Sequence, residues 1–488
     1  MAKARLRARR SRYRFTTRLS RSIPAVVLAA VVVGVAGGAL AVARVVGFLN
    51  HVTGGVDPIR IVGSSVDPPR GSIAWKLKHG EQVNVLLLGY GGAENDAPYL
   101  TDSILAVTID PAHKRVREIS VPRDLWVKID AWQDGRTYPA KINAAFEVGL
   151  DDSQWRGKSP QYTGSDGGGH LAEHVVGNFT GIQFDKYAAI DFKAFRDVVD
   201  ALGGIDVHMD GPLDDCHYPD YHDGYLNHGV PPGVRCPRGA GIHFAAGDYA
   251  VNGEQALELA RSREATQPDQ ASDFGRARRQ QMIISKIKKK AISANGLTKV
   301  LPLMSALESN VHTDMDVTDL KALYEWGGKV PDSNIQHVAL TDQDFLDDGG
   351  CGPGAVFTLC PEDPSLSMIH TYLADGLVDP KVLAERANIQ VVNASYNSAD
   401  LGERVTRVLR PLGFAVADPA RRKGADKTVI YDYSGGKYPL TSAWLANYFG
   451  AGVSPAAAAP PPTPGQQQQG LVVMVARDYA RRWYGLTP

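Results

Sequence analysis

The sequence is poor in cysteine, with four cysteines among its 488 residues. They form two local pairs, Cys216 with Cys236 and Cys351 with Cys360. Three histidines lie within the first pair: His217, His222 and His228. The spacing of that pair matches no common zinc-binding pattern, so two structural disulfides are favoured, and thiolate metal ligation stays open as the alternative. Structural disulfides are typical of proteins that fold outside the cytoplasm.

Acidic residues are absent from the first 21 positions, which carry nine Lys and Arg residues. Because the whole chain has no net charge, the remainder holds 44 basic against 53 acidic side chains. A domain that binds duplex nucleic acid is normally basic overall, and the chain has no recognisable helix-turn-helix. We therefore expect no nucleic-acid partner, which disfavours direct transcriptional regulation.

Charge is also missing from the 21 residues Ile23 to Ala43, "IPAVVLAAVVVGVAGGALAVA". A helix of about 20 apolar residues crosses a bilayer, and flanking bases stay inside. The pattern predicts a cytoplasmic tail over 1–22, a transmembrane helix over 23–49 and a linker over 50–81. The protein is then a single-pass protein of the cytoplasmic membrane with an extracellular body. A cleaved signal peptide is the alternative, although its apolar core is usually only about 7 to 15 residues long.

Long internal repeats are absent, and the body is predicted to be α/β. Val-, Ile- and Leu-rich runs such as "VNVLLLG", "SILAVTID" and "VREISV" indicate strands. "FKAFRDVVDALGG" has the apolar spacing and terminal glycines of a helix, and Asn252 is a plausible N-cap for "NGEQALELA". We expect a catalytic domain with a mixed central sheet over 82–385, containing a long loop over 210–247.

Strand and helix patterns alternate again from about residue 386 to 480, which predicts a small C-terminal α/β domain. The predicted strands include "NIQVVNA", "FAVAD", "KTVIYDY" and "LVVMVARDY". A Pro- and Gln-rich insert over 453–469 precedes the last of them and has the composition of a hinge.

The stretch Ala260 to Gln281, "ARSREATQPDQASDFGRARRQQ", holds five arginines. With Asp273 as N-cap, a helix over 274–291 has an apolar stripe along one face. That face carries Arg276, Arg279, Gln280, Ile283 and Ile287. Arginines on the core side need acidic partners or an anionic ligand, because an unpaired buried charge is costly. The alternative is a solvated basic face, which is usual for charge runs.

Arg261 and Arg263 lie at the end of the preceding predicted helix. If the chain leaves that helix in an extended conformation, as nearby Pro268 favours, both side chains lie on the same side and form a fork for an anion.

Arg123 and Asp124 follow the predicted strand "VREISV", at the kind of strand end where α/β proteins bind ligands. A surface pair between these two residues is the alternative. The preceding glycine-rich segment, "GYGGAENDAPYLTDS", lacks the dinucleotide fingerprint but offers Glu94, Asp96 and Asp102 as oxygen ligands for Mg²⁺ or Mn²⁺. Solvated loop acids are the alternative for these carboxylates.

Seven stretches, taken in order, resemble the LytR-CpsA-Psr family of envelope proteins across roughly residues 82–292. They are "NVLLLGYGG", "YLTDSILAVTIDP", "ISVPRDLWV", "KINAAF", "FDKYAAIDFKAFRDVVDALGGIDV", "AAGDYAVNGEQALELARSR" and "DFGRARRQQMII". The region over 387–479 resembles the C-terminal domain of many actinobacterial members, the LytR C-terminal domain.

The resemblance implies a phosphotransferase that attaches a polyprenyl-pyrophosphate-linked glycopolymer to peptidoglycan, at the membrane. A teichoic acid, capsule or arabinogalactan type of polymer is expected. By motif, the family's pyrophosphate-binding set is matched by Arg123, Arg261, Arg263, Arg276 and Gln280, and Asp102 matches a Mg²⁺ ligand. Arg279 and Lys141 are further candidates for substrate binding, and Asp124 is a candidate catalytic residue, as are Arg123, Arg263 and Arg276. The helix after Phe192 is expected to help line a tunnel for the lipid tail.

Two positions depart from the family pattern. Gly91 stands where many members have an aspartate, and Leu100 stands where they have an arginine; Glu94 or Asp96 could replace the first. Three other functions are weighed against the transferase: a polyprenyl pyrophosphatase, a transcriptional attenuator of envelope genes, and a noncatalytic wall-binding module.

Overall fold

The computed structural model describes residues 68–93, 97–218, 241–262, 265–267, 270, 279, 282–283, 285–287, 289–290, 310–340, 345–347, 350–354, 357–374, 378–396 and 398–485. The predicted cytoplasmic tail, the predicted transmembrane helix and most of the linker lie outside these residues. Within them, no helix combines the length and the apolar character needed to span a bilayer.

The described strands, in chain order, are β1 Val83–Tyr90, β2 Thr101–Asp110, β3 Arg115–Val121, β4 Trp126–Ile129, β5 Tyr138–Lys141, β6 Lys186–Asp191, β7 Ile205–Met209, β8 Leu213–Asp215, β9 Ile242–Phe244, β10 Gly247–Val251, β11 Val311–Thr313, β12 Ile335–Ala339, β13 Leu346–Asp347, β14 Cys360–Pro361, β15 Asn388–Asn393, β16 Ala415–Arg421, β17 Val429–Asp432, β18 Gly452–Pro455 and β19 Leu471–Val475.

The described helices are α1 Ile73–His79, α2 Ala144–Leu150, α3 Gly167–Thr180, α4 Phe192–Ala201, α5 Gly253–Arg261, α6 Val317–Gly327, α7 Ser367–Ala374, α8 Pro380–Ala384, α9 Leu401–Leu409, α10 Pro439–Phe449 and α11 Arg477–Trp483. Short 3-10 turns occur at Pro160–Tyr162, Asp332–Asn334, Arg410–Leu412 and Ala456–Ala458. Described residues between Arg279 and Lys290 are also helical, as the apolar spacing predicts.

The central sheet has six strands in the order β11-β6-β1-β2-β3-β12, and it is mixed as predicted. Strand β1 is parallel to β6 and antiparallel to β2, while β12 is parallel to β3. Strands β1, β3, β6 and β12 therefore all end at one edge, which we call the carboxyl edge. Strand β6 begins and β11 ends at the other side of the sheet, which we call the opposite edge.

Both faces of the central sheet are covered. Alternating residues of β1 illustrate this: Leu86 and Leu88 face one apolar cluster, whereas Val85 and Leu87 face another. Burial on both faces explains why β1 is an almost continuous apolar run rather than an alternating one.

The start and the exit of α5 agree with the sequence predictions, whereas the residue that caps α4 was not among them. Asp191 caps α4 by accepting a hydrogen bond from the Ala194 amide at 2.7 Å. Asn252 caps α5 in a reciprocal capping box with Gln255. After α5, Ser262 has φ −49° and ψ 131°, so the chain leaves in an extended conformation as expected.

The predicted loop over 210–247 is partly wrong, because its ends form structure. Strands β8 and β9 pair antiparallel, with Leu213 opposite Phe244, and the apolar side chains of both residues are buried. Cys216 is disulfide-bonded; its predicted partner Cys236 lies outside the described residues. The second predicted disulfide, Cys351 to Cys360, is present with a Cα–Cα distance of 6.0 Å.

The C-terminal region forms a second sheet, in the order β16-β15-β19-β17-β18. The predicted last strand is too long, because β19 ends at Val475 and α11 begins at Arg477. The insert over 453–469 is not a free hinge either. Part of it is the edge strand β18, and Gln390 ties the rest to β15 by donating to the Gly465 carbonyl at 2.8 Å and accepting from the Gln467 amide at 2.7 Å.

The C-terminal sheet and the body share one continuous apolar cluster. Trp483 of α11 is 1% exposed and stacks on Phe345 with ring centroids 4.8 Å apart. Its indole N–H donates to Glu362 at 2.9 Å, and Arg404 pairs with the same carboxylate at 2.5 Å. Arg117 of β3 reaches the same region by donating to the Leu373 carbonyl at 2.7 Å. The described C-terminal region is therefore packed onto the body.

Candidate active site

Four of the predicted site residues meet at the carboxyl edge of the central sheet. Arg123 forms an ion pair with Asp102, and its Nε lies 3.7 Å from Asp124 Oδ2. Lys141 Nζ is 2.6 Å from Asp124 Oδ1. The side chains are 14% to 29% exposed, so this chain of alternating charges is accessible from solvent. We call these four residues, Asp102, Arg123, Asp124 and Lys141, the charged cluster.

Strand geometry explains how these distant residues meet. Asp102 lies at the start of β2, beside the end of β1, where the pairing shifts register between Gly89 and Tyr90. Arg123 follows β3, which is antiparallel to β2, so the end of β3 reaches the start of β2. The hairpin of β4 and β5 then pairs Trp126 with Lys141 and returns the lysine to Asp124.

The loop closed by the Cys351–Cys360 disulfide supports the backbone of the cluster. Leu359 donates its amide to the Asp124 carbonyl at 3.0 Å and accepts from the Trp126 amide at 2.9 Å. Its side chain is fully buried. This loop was not expected to touch the site, and nothing in the spacing of its cysteines could indicate the contact.

A further carboxylate at the carboxyl edge, Asp191, was missed by the sequence analysis. It ends β6 beside Tyr90 of β1, and its burial raises its pKa to about 6. A Cβ atom at Gly92 would lie only 2.8 Å from Asp191 Oδ2, and Gly92 has φ +83°. The loop after β1 therefore packs closely onto Asp191. The signal that could have identified it is an aspartate placed between a strand and a helix in "AAIDFKAF".

Arg261 lies at the end of α5 and contacts aromatic rings. Its guanidinium carbon is 4.2 Å from the ring centroid of Phe192 and 5.9 Å from that of Tyr218. Phe192 begins α4 and belongs to the apolar cluster beneath this helix. Arg261 is thus a cation at the boundary between polar surface and apolar core.

Arg279 has a different environment from the one predicted. It is 3% exposed, and its guanidinium donates to the carbonyls of Leu259, Ser262 and Gln270 at 2.8 to 3.0 Å. The core-side position is therefore confirmed, and backbone oxygens accept hydrogen bonds from the guanidinium. Arg279 thus helps to hold the exit from α5 in place, and its contact with the substrate stays a prediction.

The remaining predicted site residues lie outside the described residues, so their roles stay predictions. They are Glu94, Asp96, Arg263, Arg276 and Gln280.

Comparison with known proteins identifies the family. A profile of the LytR_cpsA_psr family matches residues 63–351. The chain belongs to this family. The match includes the whole charged cluster, Asp191 and Arg261, and it ends at Cys351. It therefore covers the central sheet but not the C-terminal sheet.

Curated relatives include a teichoic acid transferase of Bacillus subtilis (strain 168), named polyisoprenyl-teichoic acid–peptidoglycan teichoic acid transferase TagV. It is 28% identical over 277 residues, which is 57% of this chain and 60% of the relative. Biofilm regulatory protein A of Streptococcus mutans is 29% identical over 243 residues, or 48% of this chain and 50% of the relative. The chain thus spans between half and two thirds of the length of these relatives.

Solved structures of similar chains include B. subtilis TagV, with 25% identity and a TM-score of 0.42 over 61% of this chain and 97% of that one. TagT bound to LIIa-WTA is 20% identical, with a TM-score of 0.40 over 60% of this chain and 90% of that one.

Proposed function

We propose that this chain is a membrane-anchored phosphotransferase that transfers a glycopolymer from a polyprenyl pyrophosphate carrier to a hydroxyl group of peptidoglycan. The main observation in support is the charged cluster at the carboxyl edge of the central sheet, in a chain that belongs to this family. Curated relatives named as teichoic acid transferases to peptidoglycan support the choice of donor and acceptor.

The reaction breaks one P–O bond and makes another. The acceptor hydroxyl oxygen attacks the phosphorus that carries the glycan, and the bond from that phosphorus to the bridging oxygen breaks. Polyprenyl phosphate leaves with the bridging oxygen, and the glycan becomes joined to peptidoglycan through a phosphodiester. The hydroxyl proton passes to a base. Such a reaction needs mainly positioning and stabilisation of charge on the phosphate oxygens.

Arg123 and Lys141 are the described cations that suit this role. They pair with Asp102 and Asp124, and these ion pairs hold both cations at the carboxyl edge. A bound pyrophosphate would compete for Arg123, whose planar fork matches two phosphate oxygens. Arg261 would approach the same anion from the end of α5, together with Arg263 and Arg276 as predicted from the sequence.

Asp102 suits the role of a Mg²⁺ ligand, because Mg²⁺ is commonly held by one or two carboxylates plus phosphate oxygens. When bound, it would supply further positive charge to the pyrophosphate. Asp102 is 29% exposed and stands at the open edge, where phosphate oxygens could complete the coordination. Glu94 and Asp96 are the additional ligands predicted from the sequence.

The lipid would extend from the pyrophosphate toward α4. Arg261 lies over Phe192, and the apolar side of α4 continues from Phe192 into the buried cluster. We propose that the isoprenoid chain follows this side of the body, that the predicted transmembrane helix anchors the chain, and that the body is extracellular.

The test uses the full-length chain in detergent with a synthetic polyprenyl-pyrophosphate glycan and peptidoglycan. Mass spectrometry should detect polyprenyl phosphate and glycan joined to peptidoglycan, and Arg123→Ala should lose both products. Arg136→Ala is the matched control, because Arg136 is an exposed arginine in the turn of the β4–β5 hairpin. Release of glycan phosphate with no joined product would identify a pyrophosphatase instead. Equal turnover by Arg123→Ala and the unaltered chain would overturn the proposal.

A further inference from the structure

A second group of metal-ligating side chains lies away from the carboxyl edge. His170 and Glu173 are three residues apart on α3, so they share one side of the helix. Asp314 directly follows β11 at the opposite edge. One ligand atom from each of these residues lies within 4.8 Å of the other two. Strand β6 begins next to Asp314 and ends five residues later at Asp191, a distance of about 17 Å along a strand. The group is therefore well separated from the carboxyl edge.

Glu173 supplies an independent indication that a cation belongs here. Its Oε1 is buried and receives no hydrogen bond from the described residues. A buried carboxylate oxygen without a partner is costly, and such groups are usually paired or bound to a metal. The neighbouring cation, Lys186, is occupied by Asp314: its Nζ is 3.3 Å from Asp314 Oδ2 and donates to the Asp314 carbonyl at 2.8 Å.

His170 is oriented as metal-bound histidines commonly are. Its Nδ1 lies 3.2 Å from the Gln161 carbonyl, and its ring packs edge-on against Tyr187 with centroids 5.9 Å apart. If Nδ1 carries the proton and donates it to that carbonyl, the lone pair of Nε2 is available to a metal ion. A backbone carbonyl that fixes the tautomer in this way is the usual outer support of a histidine ligand.

Asp314 is also held by a backbone group. Its Oδ1 accepts a hydrogen bond from the Tyr187 amide at 2.9 Å. The carboxylate is therefore fixed between the first residues of β6 and the helix that carries the other two side chains. Three side chains from two separate parts of the chain thus converge, and two of them are oriented by backbone groups.

We propose that His170, Glu173 and Asp314 form a binding site for one Zn²⁺ ion. An imidazole nitrogen and carboxylate oxygens are both ligand types that Zn²⁺ takes, and water completes the coordination where the protein supplies three ligands. The imidazole favours Zn²⁺ over Mg²⁺, which prefers an all-oxygen environment. The bound ion would fasten α3 to the opposite edge of the central sheet, and the site is independent of the proposed transferase reaction.

The test measures metal binding by the full-length chain after treatment with EDTA. Zn²⁺ bound per chain is counted by equilibrium dialysis and elemental analysis, with Mg²⁺ as the comparison ion. Asp102→Asn is included in every protein so that the predicted site at the carboxyl edge does not contribute. We expect one Zn²⁺ to bind per chain. Glu173→Gln and His170→Ala should each weaken this binding at least about tenfold, since even the loss of a residue that hydrogen-bonds a metal ligand lowers metal affinity by about that factor.

His174→Ala is the matched control, because His174 lies one turn further along α3 and pairs with Asp130 instead. It should bind Zn²⁺ as the unaltered chain does. Glu173→Gln keeps the shape of the side chain, and its thermal unfolding without metal shows whether the fold is preserved. Zn²⁺ should then raise the unfolding temperature of the unaltered chain but not of this variant. Equal Zn²⁺ binding by all these proteins, or none by the unaltered chain, would overturn the proposal.

Discussion

Arg123 pairs with Asp102 across the end of β3 and the start of β2, so a predicted phosphate-binding cation is neutralised by a predicted metal ligand. The side chains of the pair are 26% and 29% exposed, so a phosphate oxygen could reach Arg123 and a metal ion could reach Asp102. The ion pair holds both side chains at the carboxyl edge.

The first prediction concerns the shape of the Arg123 head group. Arg123→Lys keeps the charge but removes the planar fork, so kcat/KM should fall on the order of 100-fold if the transition state loses one preorganised contact. Release of polyprenyl phosphate is the measurement, and Arg136→Lys serves as the control. Unchanged kcat/KM in Arg123→Lys would mean that Arg123 acts only as a point charge.

The second prediction separates positioning arginines from substrate-binding ones. Arg279→Met should lower the free energy of unfolding by about 3 to 5 kcal/mol, because it leaves several buried carbonyls without donors. Arg123→Met should change stability by less than about 1 kcal/mol, because its ion pair is partly exposed. Urea unfolding measures both. A stability loss that is larger for Arg123→Met would contradict the assigned roles.

The third prediction concerns the close packing of α3. A Cβ atom at Gly169 would lie 2.1 Å from the ring of Tyr187, which is fully buried. Gly169→Ala should therefore destabilise the protein by about 1 to 3 kcal/mol through overpacking. Gly327→Ala is the control, since a Cβ there meets nothing within 4 Å and alanine favours the helix by up to about 1 kcal/mol. Thermal unfolding compares the two; a tolerated Gly169→Ala would refute the close contact.

The fourth prediction uses the raised pKa of Asp191. Its folded pKa of about 6 exceeds the ordinary value of 3.8, so its contribution to stability is fully present below pH 3.8 and is lost as the pH rises through 6. The total loss is up to about 3 kcal/mol. Asp191→Asn can still cap α4 and removes this dependence, so it should gain stability relative to the unaltered chain between those pH values.

The measurement is the difference in unfolding free energy between the two proteins across pH 4 to 7, a range chosen to cover about one unit beyond the shifted pKa. Asp418→Asn controls for the charge change, because that side chain is 97% exposed and its partner Arg410 keeps its charge over this pH range. A difference between Asp191→Asn and the unaltered chain that stays constant over this range would contradict the burial-raised pKa.

The fifth prediction concerns the disulfide-closed loop beside the site. Cys351→Ser with Cys360→Ser should lower kcat more than it lowers substrate affinity, because Leu359 loses part of the support that fixes the Asp124 backbone. The measurement is kcat and KM for release of polyprenyl phosphate. Leu359→Ala with the disulfide intact should lower kcat in the same direction, since it creates a cavity at the same place. Full kcat in both proteins would show that the loop has no influence on the site.

Sequence patterns were informative where one element decides the outcome. The apolar runs predicted β1 to β3, and the cap at Asn252 predicted the start of α5, because strand burial and capping depend on neighbouring residues. The helical spacing correctly placed Arg279 on the core side. It could not indicate the hydrogen bonds from Arg279 to backbone carbonyls, since Leu259 and Ser262 are 20 and 17 residues away in sequence.

Contacts between residues that are far apart in the chain could not be predicted from the sequence. The contact between Leu359 and Asp124 joins segments separated by most of the body, and Asp314 meets His170 only because β11 pairs with β6. The insert over 453–469 has the composition of a hinge, yet hydrogen bonds to Gln390 hold it against a sheet. Composition reports the conformational preference of a segment, and tertiary contacts can override it.

Leu359 is hydrogen-bonded to the backbone on either side of Leu125. These bonds link the closing of the Cys351–Cys360 loop to the ordering of the charged cluster. If closing the Cys351–Cys360 loop favours the ordered cluster, then whatever binds the ordered cluster must favour the closed loop to the same extent. Saturation with the lipid-linked donor should therefore shift the reduction potential of this disulfide to a more negative value. A thiol–disulfide titration would then report occupancy of the site without any turnover.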